Sequence, residues 1–138
     1  MKILGLDLGS KTLGIAISDP SEILACGVDT FQFPENNFLL PLDYIQHFID
    51  NNKVGLVVLG YPKNMNGSIG SQGKVSEDFR EALKAKVSVP IVLWDERLTS
   101  RMVNSVMISA NVSRNKRKEQ VDRLAATVIL QSYLDSRR

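Results

Sequence analysis

Three carboxylates stand where a globular fold rarely places an acid. Asp7 interrupts the apolar stretch "ILGLDLGSKTLGIAISD", Glu96 follows shortly after the apolar run "VPIVLW", and Asp122 lies in the apolar-striped segment "EQVDRLAATVIL". A buried carboxylate is costly unless a cation or hydrogen bonds compensate its charge. The three acids are therefore candidates for one shared site with oxygen ligands.

Each acid also has an ordinary explanation, because a basic residue nearby in the sequence could neutralise it. The candidate ion pairs are Asp7 with Lys11, Glu96 with Arg97 or Arg101, and Asp122 with Lys118. Asp95, beside Glu96, is explained equally well as a turn residue at the end of a strand. Taken one at a time, the ion pair and the metal ligand both remain open for each acid.

Taken together, the acids favour a metal site. Converging carboxylates raise one another's pKa unless a cation neutralises them. Oxygen ligands without cysteine or histidine favour Mg²⁺ or Mn²⁺. The single histidine, His47, falls in a predicted helix and is expected on its surface. In phosphodiester hydrolysis, one metal would activate a water and a second, roughly 4 Å away, would stabilise the leaving oxygen.

Positive charge is concentrated in the last third of the chain. Residues 1–96 carry a net charge of −4, whereas residues 97–138, with nine basic and three acidic residues, carry +6. The densest part is "RNKRK", which contains Arg114, Lys116, Arg117 and Lys118. Such a cluster is typical of a loop that contacts phosphates, although a solvated loop beside a helix explains it equally well. A nucleic-acid substrate fits both the acids and this segment.

Composition indicates an ordinary globular protein. The 138 residues are 43% apolar and 23% charged, which predicts one domain over 1–138 that buries about 68% of the surface of its unfolded chain. No apolar stretch reaches membrane-spanning length, and Asp7 cuts short any signal-peptide pattern. We therefore expect a cytoplasmic protein without membrane association, either a monomer or a weak homodimer.

The order of predicted elements is β-β-β-α-β-α-β-α-α. The strands are predicted at 2–8, 12–18, 22–31, 54–60 and 89–94, with helices between the later strands, a short helix through 101–110 and a last helix from about 116. This order predicts an α/β fold, a mixed five-stranded sheet with an antiparallel edge and helices on both faces. Functional sites of such sheets lie at the carboxyl ends of the strands.

Three helices carry apolar residues at helical spacing, and in the first of them these are Leu42, Ile45, Phe48 and Ile49. In the second helix they are Val75, Phe79, Leu83 and Val87; in the last helix they are Val121, Leu124, Ala125, Val128 and Ile129. Asp122 borders the last of these stripes, because Ile129, seven positions later, is displaced by only about 20° around the helix axis.

Two phosphate-binding motifs fit the sequence less well. The segment "DLGSKTLG" resembles the phosphate hairpin of actin-like and sugar-kinase ATPases, but those proteins need a second domain and a second hairpin, which 138 residues cannot supply. A Walker P-loop fails at "GSIGSQGKV", which has one residue too many between Gly67 and Gly73 and has Val75 where a hydroxyl must bind Mg²⁺.

Four separated motifs, "GLDLGSKTLGIAISD", "LGYPKNMNGS", "DERLTS" and "KEQVDRLAATVIL", together resemble the YqgF/RuvX family over nearly the whole chain. The resemblance implies a ribonuclease H-like, RuvC-related fold and a Mg²⁺-dependent nuclease. Its substrate would be the 5′ end of precursor 16S rRNA or, alternatively, a Holliday junction. The acids of the family correspond here to Asp7, Glu96 and Asp122.

The resemblance also implies nucleic-acid contacts. The family pattern G-x-P-x-x-x-x-G corresponds to Gly60, Pro62 and Gly67, so Lys63 and Asn64 in this loop become candidates for backbone contact. The other candidates are Gly9, Lys11, Arg97, Arg101, Arg114, Lys116, Arg117 and Lys118. Gly9 is expected to keep the first turn slim enough for a phosphate backbone to approach.

One position departs from the RuvC resolvases, which carry a fourth acid where this chain has Ala125. A second metal is therefore expected to be held weakly or to bind only with substrate. Glu119, one turn before Asp122, could compensate for the missing acid or could pair with Arg123. A nucleic-acid-binding module without catalysis remains a further alternative. Tyr61, beside the glycine-rich loop, could stack on a base or belong to the core.

Overall fold

The computed structural model describes residues 1–63, 66–95 and 114–137, and for 114–123 it describes the backbone alone. The strands are β1 (Lys2–Leu8), β2 (Thr12–Ser18), β3 (Ala25–Gln32), β4 (Val54–Tyr61) and β5 (Ile91–Asp95). The helices are α1 (Leu39–Asn52), α2 (Ser71–Lys84) and α3 (Arg114–Ser136).

The five strands form one sheet in the order β3-β2-β1-β4-β5. The β1–β2 and β2–β3 pairs are antiparallel, as short hairpin turns require, whereas β4 runs parallel to both β1 and β5. Parallel neighbours need crossover connections, and α1 and α2 lie in those connections. The predicted mixed sheet with an antiparallel edge is confirmed.

Strand alternation divides the core into two layers, one on each face of the sheet. Large side chains of β1, β2 and β4, among them Leu4, Leu6 and Leu13, pack with α1 and α2 on one face. On the other face, Ile3, Ala16, Leu56 and Val58 pack against residues of α3. Helices therefore cover both faces, as predicted.

The buried side of α3 differs from the predicted stripe. Its fully buried residues are Ala125, Ala126, Ile129, Leu130 and Leu134, whereas Leu124 and Val128 are partly exposed. The reason lies in the sheet. At Gly5, a Cβ atom would lie only 2.7 Å from the Cβ of Leu130 and 3.1 Å from the carbonyl oxygen of Ala126. The missing side chain lets this side of the helix approach the strand.

Strand β3 begins at Ala25, three residues later than predicted. The Asp19 carboxylate accepts hydrogen bonds from the backbone N–H groups of Ile23 at 2.8 Å and Leu24 at 3.1 Å. Glu22 has a left-handed φ of 62°. These contacts hold residues 19–24 in a turn, so the two amides are engaged there rather than in the sheet.

The boundaries of two helices also differ from the sequence expectation. Helix α2 begins at Ser71 and includes Gly73, and it ends at Lys84, so Val87 lies beyond it. Helix α3 begins at Arg114, about two residues before the predicted start near 116, so all of "RNKRK" is helical and none of it forms the loop that its charge suggested. Arginine and lysine are good helix formers, which explains the earlier start. The predicted short helix through 101–110 lies outside the described residues.

Among the described helices, none combines the length and the apolar character needed to cross a membrane. The longest is α3 with 23 residues, and it contains several charged positions.

Candidate functional site

Asp7 lies near the carboxyl end of β1, on the face covered by α3. It alternates with Ile3 and Gly5, which contact that helix, and its side chain is half-buried. Directly across the hairpin its partner is Gly14. On the parallel strand β4, Leu59 pairs with Leu6. The next residue of β4, Gly60, therefore lies level with Asp7. Two residues without side chains therefore flank the carboxylate within the sheet.

The direction of α3 relative to β1 follows from its C-terminal end. Arg137 pairs with Glu22 at 3.1 Å, and Glu22 also lies 3.8 Å from the amino group of Met1, beside the start of β1. The helix thus runs antiparallel to the strand, and its earlier residues lie toward the carboxyl end of β1.

This direction places helix position 122 next to Asp7. Gly5 lies against Ala126 and Leu130. Moving two residues along β1 to Asp7 covers about 6.6 Å, and moving four residues back from Ala126 covers about 6 Å along the helix axis. The backbone at Asp122 therefore comes level with Asp7. This packing register brings two of the three predicted acids to the same place at the level of the backbone.

The third predicted acid, Glu96, has no described position relative to Asp7. Glu96, Arg97, Arg101 and Asn64 lie outside the described residues. Asp95, the last residue of β5, shares the face of Ile91 and Leu93, which pack toward α1 and α2. Asp95 thus faces away from the side of the sheet that carries Asp7, which disfavours it as a co-ligand.

The turn after Asp7 is fixed by backbone hydrogen bonds. The Gly9 N–H donates to the Thr12 carbonyl at 2.7 Å, and the Lys11 carbonyl accepts from the Phe33 N–H at 2.9 Å. The Lys11 side chain is exposed at the tip. Gly9 does not have a left-handed φ, and a Cβ there would lie 3.3 Å from the Thr12 hydroxyl. Backbone conformation therefore does not require glycine at this position.

Helix α2 holds the ends of two strands. The Gln72 side-chain amide donates to the carbonyl of Leu8, the last residue of β1, at 3.2 Å. A Cβ at Gly73 would lie 2.8 Å from the Pro62 carbonyl oxygen, just after β4. The first turn of α2 thus fixes the chain at the carboxyl ends of both β1 and β4.

A second polar cluster lies at this end, on the α2 side. The Lys63 ammonium is 4.0 Å from the Asp95 carboxylate and 5.6 Å from the ring centroid of Tyr61. The Tyr61 hydroxyl donates to Glu77 of α2 at 2.5 Å, and this hydrogen bond raises the pKa of Tyr61 above its usual value. Lys63 therefore lies at the predicted end of the sheet but on the face opposite Asp7.

The remaining basic candidates, Arg114, Lys116, Arg117 and Lys118, lie in the first turns of α3, at the same end of the sheet as Asp7. His47 is exposed on α1, and its Nδ1 is 2.8 Å from the Asp43 carbonyl oxygen, so the prediction of a helix-surface histidine is confirmed.

Among the described side chains, which are those of residues 1–63, 66–95 and 124–137, no three acidic, histidine or cysteine residues gather closely enough to hold a metal ion. The donor chemistry of Asp7 nevertheless fits a hard cation, because a half-buried carboxylate supplies charged oxygen ligands. A site of three carboxylates would need ligands from beyond the described side chains.

Sequence reasoning missed the glycines around Asp7 and the contacts made by α2. Gly5 is two residues before Asp7, so the period-two pattern of a strand could have placed both on one face. Gln72 and Glu77 gave no comparable signal, because their partners are far away in the sequence.

Comparison with known proteins gives consistent results. A family model described as "RuvX: Holliday junction resolvase" matches residues 1–136. A protein of Listeria monocytogenes serovar 1/2a, named "Putative pre-16S rRNA nuclease", is 49% identical over 136 residues, which is 99% of either chain. A protein of Bacillus subtilis with the same name is 46% identical over 136 residues, again 99% of either chain.

Solved structures share the fold at low sequence identity. Thermus thermophilus RuvC in complex with a Holliday junction substrate superposes with a TM-score of 0.64 at 10% identity, over 99% of this chain and 96% of that one. The fowlpox virus Holliday junction resolvase gives 0.62 at 15% identity, over 99% of both chains. The predicted ribonuclease H-like, RuvC-related fold is therefore confirmed.

Proposed function

The chain belongs to the RuvX family, described as Holliday junction resolvase, and from this premise we propose that it is a metal-dependent nuclease that processes the 5′ end of precursor 16S rRNA. The names of relatives with 45–49% identity over the full length support this substrate. The structural observation that supports the nuclease most directly is the packing of Gly5 against Ala126 and Leu130, which brings position 122 level with Asp7.

We assign Asp7, Glu96 and Asp122 as the ligands of Mg²⁺ or Mn²⁺. Asp7 has the required chemistry and burial, and position 122 lies beside it in the backbone register. Asp95 faces the other side of the sheet, which leaves its neighbour Glu96 as the better ligand candidate. When bound, the ion would lower the pKa of an attacking water and neutralise charge on the phosphate.

The residues of the chain itself supply position and charge. The Asp7 carboxylate can accept a hydrogen bond from the attacking water and hold it against the phosphorus. Gly14 and Gly60 leave space beside this carboxylate for a phosphate group. The candidate nucleic-acid contacts would bind phosphates on either side, Asn64 through its neutral amide and the others through a positive charge: Lys11, Lys63, Arg97, Arg101, Arg114, Lys116, Arg117 and Lys118. Such contacts fix the substrate and make binding strongly salt-dependent.

We further propose that residues 1–138 act as one nuclease domain in the cytoplasm, as a monomer or a weak homodimer. Resolution of Holliday junctions is the second candidate, favoured by the family description. Symmetric cutting of a junction requires two active sites related by a two-fold axis and hence a stable dimer. A protein that stays monomeric with junction DNA would exclude it.

To test this function, the purified protein is incubated with a precursor 16S rRNA fragment or with a four-way DNA junction, in the presence of Mg²⁺, Mn²⁺ or a chelator. We expect metal-dependent cutting of the RNA. Asp7→Asn should reduce cutting by at least about 100-fold, because removing a metal ligand costs more than removing a residue that only hydrogen-bonds to a ligand. RNA binding should be largely kept.

Asp29→Asn is the matched control, because Asp29 is an exposed aspartate on the edge strand β3 and should cut like the wild type. Equal cutting by the Asp7→Asn variant would refute the assigned site. RNA binding without cutting in any metal would favour a binding module without catalysis.

A further inference from the structure

Lys63 is held by its neighbours before any substrate arrives. Its side chain is only 28% exposed, although lysine usually extends into solvent. The ammonium lies 5.6 Å from the centre of the Tyr61 ring, a distance at which the ring's negative face attracts a cation. The Asp95 carboxylate, at 4.0 Å, is at the outer limit of an ion pair. The lysine therefore has a defined place but a loose ionic partner.

The Tyr61 ring is itself fixed in place. Its hydroxyl donates to the Glu77 carboxylate on α2 at 2.5 Å, a charge-assisted hydrogen bond. A ring carbon of Tyr61 also lies 3.6 Å from where a Cβ of Gly73 would be, so the ring packs against the first turns of α2. Glu77 and Gly73 thus set the position of the ring, and the ring sets the position of the ammonium.

The cluster lies beside the proposed catalytic end of the sheet. Tyr61 ends β4, which runs parallel to β1, so Lys63 follows at the same end as Asp7. Asp95 ends β5 and immediately precedes Glu96. Lys63 and Asp7 therefore lie at the same end of neighbouring strands, although on opposite faces of the sheet.

We propose that Tyr61 and Glu77 are positioning residues that hold the Lys63 ammonium ready to bind a backbone phosphate of the nucleic-acid substrate. This proposal rests on the proposed nuclease function. A lysine that is already oriented loses less side-chain freedom when it binds, so a phosphate gains affinity. The phosphate, with a full negative charge at closer range, replaces the distant Asp95 carboxylate as the partner of the ammonium.

The test measures the dissociation constant of a precursor 16S rRNA fragment with chelator present, so that nothing is cut, over a range of salt concentrations. Lys63→Ala should weaken binding roughly three- to tenfold and reduce the slope of log affinity against log salt by about 1, because one phosphate contact is lost. Lys63→Arg should restore most of the slope.

Lys86→Ala is the matched control. Lys86 also lies near an aspartate, 3.7 Å from Asp43, and its side chain is 36% exposed, but it belongs to the turn after α2 at the other end of the sheet. This variant should keep both the affinity and the salt slope of the wild type. A similar loss in both lysine variants would show a general effect of charge and would overturn the proposal.

A double-mutant cycle separates positioning from a structural role. Tyr61→Leu should weaken binding about two- to fivefold, the range expected when an ammonium loses a partly exposed ring. In a Lys63→Ala background the same change should have no effect, because there is no ammonium left to position. A loss of the same size in both backgrounds would overturn the proposal, since it would show that Tyr61 acts independently of Lys63.

Two milder variants are included in case Tyr61→Leu does not fold. Tyr61→Phe and Glu77→Gln remove the charge-assisted hydrogen bond but keep the ring, and both should weaken binding less than Tyr61→Leu and only when Lys63 is present. Thermal unfolding of each variant shows whether the fold is kept. If Tyr61→Leu does not fold, the cycle is carried by Glu77→Gln, with the same result overturning the proposal.

Failure of this inference and failure of the nuclease function give different results. A wild type that binds and cuts RNA, with an unchanged salt slope in Lys63→Ala, overturns the inference alone. A wild type that binds RNA through Lys63 but never cuts overturns the nuclease alone. A wild type that binds no RNA overturns both.

Discussion

Around Asp7, the two faces of the sheet present side chains of different size. Toward α1 and α2 the strands present large apolar residues such as Leu4, Leu6 and Leu59, all fully buried. Toward α3, the strand positions around Asp7 are occupied by Gly5, Gly14 and Gly60, residues that have no side chain to bury. Near Asp7, one face is filled by side chains, whereas on the other Gly5 lets the backbone of α3 come close.

The difference separates stability from site geometry. Burial of large side chains supplies most of the stability of a fold, at about 25 cal/mol for each Å² of apolar surface removed from water. Gly5 contributes little burial, but its missing side chain sets how closely α3 approaches β1 and thereby the distance between Asp7 and the backbone at position 122. Damage to the two faces should therefore have different consequences, and four substitutions test this in order of decreasing effect.

The largest loss of stability is expected on the filled face. Ile45 of α1 is fully buried there, and Ile45→Ala should reduce the free energy of unfolding by about 2–5 kcal/mol. Urea unfolding measures the loss, with Ile45→Val as a milder variant. Cutting per folded molecule should stay close to that of the wild type. A tenfold loss of cutting in molecules that remain folded would contradict the division between the faces.

On the face of α3, a smaller change should cost more activity than stability. Gly5→Ala places a methyl group 2.7 Å from the Leu130 Cβ, so the helix must shift, at a cost of about 1–3 kcal/mol. The shift separates Asp122 from Asp7, and displacements near 1 Å can cost on the order of 100-fold in rate. The folded fraction of Gly5→Ala should cut at least about tenfold more slowly than the wild type. Ile45→Val is measured in parallel as the comparison. Unchanged cutting would mean that this register does not matter for catalysis.

At the turn after Asp7, stability should change least relative to activity. Gly9 has no left-handed φ, and a Cβ at this position would have the Thr12 hydroxyl as its nearest neighbour, at 3.3 Å. Gly9→Val should therefore change the unfolding free energy by less than about 1 kcal/mol. Cutting should fall several-fold through a raised KM, with Gly9→Ala intermediate. A large loss of stability instead would show that the glycine serves the fold.

The smallest effect is expected at the far end of the sheet. Hydrogen bonds from the backbone N–H of Ile23 and Leu24 lower the pKa of Asp19. Its carboxylate therefore stabilises the fold above the unfolded pKa of about 3.9, and this contribution is lost as the pH falls through the lowered value. Asp19→Asn should slightly lower the Tm at neutral pH, and the difference should vanish in acid. Cutting at neutral pH should not change.

Sequence patterns predicted the fold well where periodicity is local. Strands β1, β2 and β4 and helix α1 follow from apolar runs and helical spacing. The later start of β3 was not predictable in this way, because it depends on which amides the Asp19 carboxylate binds. The inclusion of Gly73 in α2 was also missed, since close packing against Pro62 outweighs the usual cost of a helical glycine.

For the candidate site, the sequence named individual residues but not the geometry that would bring them together. Asp7 stood out because a carboxylate interrupts an apolar strand, and the structure places it half-buried at the strand end. Which side of α3 packs on the sheet depends on Gly5 and Leu130, which are 125 positions apart in the chain. No local pattern encodes such a register. The roles of Asp7, Glu96 and Asp122 remain predictions.

We propose above all that Asp7 and Asp122 hold the same metal ion. Titration with Mn²⁺ tests this shared site most directly. Binding is measured for the wild type, Asp7→Asn and Asp122→Asn, with Asp29→Asn as the control. We predict that both site variants lose at least about tenfold in Mn²⁺ affinity and that the control binds like the wild type. Wild-type affinity in Asp122→Asn, with binding lost in Asp7→Asn, would contradict the shared site.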